Sequence, residues 1–243
     1  MGTETGHGIQ LGQGLIMQIL DLNDIDVRTA NHRLHDRQGT TADTEYEILN
    51  PMGRHAVAAG LDAPLKVHVR GHAGYYCAGM NKQADVTVEG NAGVGVAENI
   101  MSGRVHVKGY ASQSAAATGH GGLVVIDGDA SARCGISMKG VDIVVGGSVG
   151  HMSAFMAQAG HMVVCGDAGA HFGDSLYEAK LYVRGSVESL GADCVEKEMT
   201  AEHVEIVRKL LEQAGIDADP KEFRRYGSAR NLYHFKIGNI AYY

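Results

Sequence analysis

Arg104-Val105-His106-Val107-Lys108-Gly109 reads in, out, in, out, and then a corner. Valines two apart place both side chains on one face of an extended segment, and the glycine ends it. The same grammar recurs every 19 residues, with glycines at Gly71, Gly90, Gly109, Gly128, Gly147, Gly166 and Gly185. Two residues before each stand Val69, Val88, Val107, Ile126, Val145, Val164 and Val183. Four before stand Val67, Val86, Val105, Val124, Ile143, Met162 and Leu181. Three after come Gly74, Gly93, Ser112, Ser131, Gly150 and Gly169, until Glu188 ends the pattern. A fixed period over more than half the chain marks a solenoid.

Within a coil no run of residues keeps helical spacing, and the leucine-rich-repeat frame is absent. The expected fold is therefore an all-β solenoid: a parallel β-helix of about seven 19-residue coils over residues 61–195. Equivalent residues of neighbouring coils should lie about 4.8 Å apart. The glycines should sit at corners that need positive φ or close backbone approach. Outward positions carry alternating charge down the stack: Arg70, Glu89, Lys108, Asp127, and also Lys66, Asp85, Arg104. Opposite charges at this spacing help slightly.

Both ends need covering, because an open β-helix end exposes unpaired backbone. Residues 17–60 are assigned that role. Alternation over 18–35 suggests one or two short strands, including Asp24-Ile25-Asp26-Val27-Arg28. Tyr46-Glu47-Ile48-Leu49 forms an irregular first coil, with Ile48 standing 19 residues before Val67. Residues 1–16 read as a flexible leader, with Met17 as the natural start. At the other end Thr200 caps a helix that Gly215 stops. Residues 199–243 thus form a helix followed by a tail rich in Tyr and Arg. Arg224, Arg225, Tyr226, Tyr233, Tyr242 and Tyr243 are candidate interface residues, because Tyr and Arg are enriched at interface hot spots. The alternative is a tail folded back on its own domain.

Composition narrows the function classes. Net charge is −7 with no basic stripe, which excludes nucleic acid as the expected partner. No apolar run approaches a membrane span. Cys77, Cys134, Cys165 and Cys194 show no CxxC spacing and read as reduced structural thiols, placing the chain in the cytoplasm. Thirteen histidines invite a metal site, but His68 and His106 share a slot two coils apart, about 9.6 Å, too far for one ion. His151 and His171 are the pair that a self-contained metalloprotein or enzyme would use. Gly166-Asp167-Ala168-Gly169 and Gly93-Val94-Gly95 look like nucleotide loops, yet strands follow where a phosphate loop needs a helix. No catalytic, cofactor-binding or metal residue is assigned.

Met101-Ser102-Gly103-Arg104-Val105-His106-Val107-Lys108-Gly109 and Ala159-Gly160-His161-Met162-Val163-Val164-Cys165-Gly166-Asp167-Ala168-Gly169 resemble the GXGXG repeats in the C-terminal domain of the glutamate synthase large chain. The same repeats occur in one subunit of formylmethanofuran dehydrogenase, which gives an alternative complex. Arg28-Thr29-Ala30-Asn31-His32-Arg33 resembles the segment leading into that domain in glutamate synthase. The family fold is a right-handed parallel β-helix. A stand-alone chain with a helical C-terminal extension looks most like the GXGXG subunit of N-methylglutamate synthase. That resemblance implies a non-catalytic structural subunit joining a glutamine amidotransferase-like subunit to an FMN-binding synthase subunit. FMN, with or without an iron–sulfur cluster, would reside in a partner, within a higher-order hetero-oligomer.

Overall fold

The computed structural model describes residues 8–11, 15–36 and 45–230, with side chains from residue 17 onward. Seven parallel strands follow the 19-residue frame: β4 (Lys66–Arg70), β5 (Asp85–Val88), β6 (Arg104–Val107), β7 (Leu123–Ile126), β8 (Lys139–Val145), β9 (Ala159–Val164) and β10 (Lys180–Val183). Their register runs Val67↔Val86↔Val105↔Val124↔Ile143↔Met162↔Leu181. The second inward column, Val69 to Val183, keeps step with it, and every residue of both columns is fully buried. A further parallel ladder, Ala73↔Ala92↔Ala111↔Ala130↔Val149↔Ala168↔Val187, follows the corners. The chain is thus a β-solenoid whose core is two aliphatic columns packed against the corner alanines and larger residues such as Ile100, Met138 and Phe172.

The corner glycines serve close approach more than positive φ. Among the seven only Gly71 has positive φ, at 139°. At Gly166 an added Cβ would lie 2.7 Å from the carbonyl carbon of Gly147 and 2.8 Å from its oxygen, closer than atoms can pack. Beside these corners a side-chain ladder runs up the stack. Asn91 Oδ1 accepts from the Tyr110 N–H at 3.0 Å, Asp129 Oδ1 from Ser148 at 2.7 Å, and Ser148 Oγ from Asp167 at 2.9 Å. Asp167 in turn accepts from the Ser186 N–H and hydroxyl, which hold its carboxyl below the usual range. Tyr110 offers no acceptor at this slot and stands 58 % exposed. Tyr110→Asn would give the Asp129 N–H a partner, so urea unfolding should show a gain of about 0.5–1 kcal/mol.

Past the corner ladder each coil alternates between left- and right-handed backbone. In one coil Ser114, Ala116 and Thr118 have φ of 59°, 55° and 55°. The N–H groups of successive left-handed residues point in opposite directions along the stack. Ser114 and Thr118 donate to Ala132 and Ile136 of the next coil, whereas Ala116 donates to Val96 of the previous one. Left-handed backbone costs about 1–2 kcal/mol at each non-glycine residue. Hydrogen bonds to both neighbouring coils hold it in place. Thr118 is the most crowded case, and its hydroxyl reaches Asn99 Oδ1 at 2.6 Å.

The ends differ from the sequence reading in several places. Asp24–Arg28 is not a strand: Asp26 caps helix α1 (Val27–His35), accepting from the Thr29 N–H at 2.7 Å, and Ala30 and Leu34 bury four residues apart. Strand β2 (Leu15–Asp21) pairs in parallel with β3 (Glu45–Leu49), and β3 pairs with β4. Ile48 stands opposite Val69, not Val67, so the first coil is two residues longer. An even offset keeps the inward face inward. Part of the segment expected as a flexible leader, 1–16, is a paired strand. Strand β1 (Gly8–Leu11) pairs antiparallel with β2, from Gly8↔Gln18 to Leu11↔Leu15; residues 1–7 and 12–14 lie outside the described residues.

Helix α1 caps the left-handed face through a side chain that imitates a peptide group. Ala56, Ala58 and Gly60 repeat the left-handed pattern in the first coil. Asn31 Oδ1 accepts from the Ala58 N–H at 3.0 Å, and its Nδ2 donates to the Ala56 carbonyl at 2.7 Å. His35 Nε2 donates to the Ala59 carbonyl at 2.8 Å. Asn31→Ala leaves a donor and an acceptor unmet together, so the denaturation midpoint should report a loss of about 2 kcal/mol.

At the far end Thr200 caps α2 (Ala201–Ala214) and Gly215, at φ 74°, closes it. A single 3-10 turn, Pro220–Glu222, leads into β12 (Arg224–Ser228). β12 inserts antiparallel between β10 and β11 (Cys194–Lys197), with Leu181↔Tyr226 and Lys197↔Arg225. Tyr226, expected in a docking arm, is instead buried, its ring edge-on to Phe172 at 6.2 Å. Arg224 donates to the Gly185 carbonyl and Arg225 to the Glu198 carbonyl, both at 2.8 Å. This part of the tail seals its own solenoid. Tyr233, Tyr242 and Tyr243 lie outside the described residues.

Candidate functional site: the outer surfaces of the solenoid

The outward residues of the strands divide the sheet into two halves. Along β4 to β6 they are His68, Thr87 and His106; along β7 to β10 they are Val125, Val144, Val163 and Tyr182. The apolar half is roofed by α2, whose Val207, Leu210, Leu211 and Ala214 pack on it together with Phe223. The change from His and Thr to Val in the outward column was a readable signal for the helix's seat. The period-two reading assigned those positions to solvent and missed it.

The polar half is knitted to itself. Arg70 pairs with Glu47 and, at 3.2 Å, with Glu89; Lys108 pairs with Asp127 at 3.6 Å. The first charge ladder therefore forms real ion pairs. Lys66, Asp85 and Arg104 share a register, but no ion pair joins them among the described residues. His106 is largely buried between Arg104 and Asp127. Arg104 Nη2 approaches its Nδ1 at 3.3 Å as donor, so Nε2 carries the proton and donates to Asp127 Oδ1 at 2.7 Å. Pairs this exposed contribute about 0–1 kcal/mol each and set register more than stability.

A second cluster lies under the start of α2. His161 Nδ1 is 2.8 Å from Asp142 Oδ1, and the His161 ring stacks on Tyr182 at 6.3 Å. The Tyr182 ring meets His203 at 6.2 Å. The Tyr182 hydroxyl is buried without a hydrogen-bond partner among the described residues, and burial pushes its acidity well down. His203 is the third residue of α2; its Nδ1 accepts from the Thr200 N–H at 3.4 Å, the reciprocal bond of a capping box, and lies 2.7 Å from Thr200 Oγ1. Burial, then Arg225 and Lys180, lower its pKa. A lowered folded pKa means the unfolded chain binds the proton first. The neutral-His203 contribution is thus complete above about pH 6.5 and is lost as pH falls below it. Unfolding midpoints should drop between pH 7.5 and 5.5, and His203→Gln should shrink that drop.

The nucleophile candidates are buried, whereas the histidine pair singled out as a metal candidate is exposed. Cys77 and Cys134 are buried, and burial pushes both thiols up to about 12; Cys194 is likewise pushed to about 12. His151 and His171 meet edge to face, 5.4 Å between ring centres. No group of three or more His, Cys, Asp or Glu able to hold a metal ion occurs among the described residues. The glycines of Gly166-Asp167-Ala168-Gly169 turn a corner into the next ladder. No helix among the described residues is long and apolar enough to cross a membrane.

No model of a known protein family matches the chain. Among curated proteins it is similar to "Protein GlxC" of Rhizobium meliloti (strain 1021), with 60% identity over 228 residues. The aligned region covers 93% of this chain and 100% of that protein. It therefore takes in nearly all the elements described above. The chain belongs to the GlxC family.

Proposed function

We propose that the chain is a non-catalytic structural subunit of a glutamate-synthase-like complex, with N-methylglutamate synthase as the preferred assignment. In that reading it joins an amidotransferase-like subunit to an FMN-binding synthase subunit, which together convert methylamine and glutamate to N-methylglutamate and ammonia. The observation that carries it is the 19-residue solenoid built from GXGXG-like coils, parallel from β4 to β10. The cysteines are buried, and His106 and His161 are tied to carboxylates. A column of stacked coils suits a spacer that fixes catalytic chains at a set distance. Tyr233, Tyr242 and Tyr243 are proposed to bury against a partner, as tyrosine anchors do.

The test is coexpression with an amidotransferase-like and a flavin synthase-like chain from the same organism. One complex containing all three, with flavin retained by the synthase chain, is expected. Stoichiometric flavin or metal bound to this chain purified alone would overturn the reading.

A further inference from the structure

Helix α1 gathers basic residues on an acidic chain. Within Val27–His35 stand Arg28, His32, Arg33 and His35 and no acid, while the chain as a whole carries −7. Arg28, His32 and His35 follow at i, i+4 and i+7, so they form one row along the helix. Asp26 and Asp36 stand at its two caps. Where α1 meets the first coil lies a cavity of about 360 Å³, lined by Val27, Arg28, Asn31, His32, His35 and Ala56. None of these six is acidic.

The polar groups of the cavity are of two kinds. Asn31 is committed to the coil, its Oδ1 accepting from the Ala58 N–H and its Nδ2 donating to the Ala56 carbonyl. His35 Nε2 donates to the Ala59 carbonyl. These bonds fix the helix against the coil and give the cavity a set shape. The Arg28 and His32 side chains are exposed and make no hydrogen bond or ion pair among the described residues. Asp26, the acid nearest to Arg28 in sequence, is spent on the cap, accepting from the Thr29 N–H at 2.7 Å. A held frame beside free donors is the division of labour in a small-molecule site.

Chemistry selects the ligand. A guanidinium is permanently charged, and its fork of N–H donors matches an oxyanion. Val27 and Ala56 give the cavity an apolar side, which favours an anion that carries a short hydrocarbon part over bare phosphate. The volume lies at the small end of small-molecule sites.

We propose that this cavity binds a small organic carboxylate. Arg28 is the charged anchor, His32 the second polar contact, and the hydrocarbon part rests on Val27 and Ala56. The site goes beyond the scaffold reading and does not depend on it. Both anchors face solvent, so the dissociation constant should be on the order of 1 mM.

The experiment is calorimetric titration of the full chain at low salt with acetate, succinate, glutarate and inorganic phosphate. Saturable one-site binding of at least one carboxylate is expected. Arg28→Gln should weaken it about tenfold or more, and His32→Gln by a smaller factor. Arg33→Gln removes the same charge from α1 outside the cavity lining and should bind as the parent does. All three side chains are exposed, so the fold should be kept, which circular dichroism checks. Absence of saturable binding by every carboxylate would overturn the proposal, as would saturation by phosphate alone. Affinity unchanged in Arg28→Gln would place the ligand elsewhere and also overturn it. Equal losses in Arg28→Gln and Arg33→Gln would mean diffuse attraction to a basic helix, with no site. None of these outcomes touches assembly with partner chains, so the scaffold reading stands or falls on its own test.

Discussion

Val107→Asp should abolish folding. Val107 is fully buried and stands in register between Val88 and Ile126, in a column with no polar group to receive a carboxylate. Burying an unpaired charge costs more than a small domain's whole margin of about 5–15 kcal/mol. The carboxylate cannot swing outward, since a strand's period of two fixes its face. The expected observations are loss of soluble protein and of the β-type circular dichroism signal. Thr87→Asp, on the outward side of the same sheet, should remain folded. A soluble, native-like Val107→Asp chain would show that the column is not the core.

Removing residues 217–243 should weaken the solenoid itself, while ending the chain at Arg230 should not. The longer cut takes away Phe223 and Tyr226, both buried, and leaves the β10 edge open. Two aromatic side chains lost from the core amount to roughly 3–6 kcal/mol. For a chain of this size that is a fall in Tm on the order of 10 °C. β11 also loses the strand it pairs with, so the end of the stack should exchange its amide hydrogens quickly. Equal Tm values for the two truncations would mean that β12 is an ornament.

The solenoid was legible because its core obeys a short, repeated rule. Val67 and Val69 predict Val86 and Val88, and two inward residues per coil suffice to set register. The seats of α1 and α2 were harder. α1 follows a run that alternates like a strand, and what makes it a helix is Asp26 as cap together with the burial of Ala30 and Leu34. The seat of α2 was written in Val125, Val144 and Val163, but an outward valine gains meaning only when compared with His68, Thr87 and His106 in the same column. The left-handed face was not legible. Ser114, Ala116 and Thr118 carry no residue-level sign of positive φ, and only hydrogen bonds to neighbouring coils hold them there. Tyr226 misled for a different reason: interface composition and core composition share tyrosine, and the antiparallel return of β12 decides between them.

The role proposed for this chain is to assemble catalytic partners. The most direct measurement is methylamine-dependent formation of N-methylglutamate from glutamate by the coexpressed three-chain complex, compared with the two catalytic chains alone and with this chain alone. The account predicts turnover by the three-chain complex, little or none when this chain is omitted, and none from this chain by itself. Turnover by the isolated chain, or full turnover and assembly without it, would contradict the account.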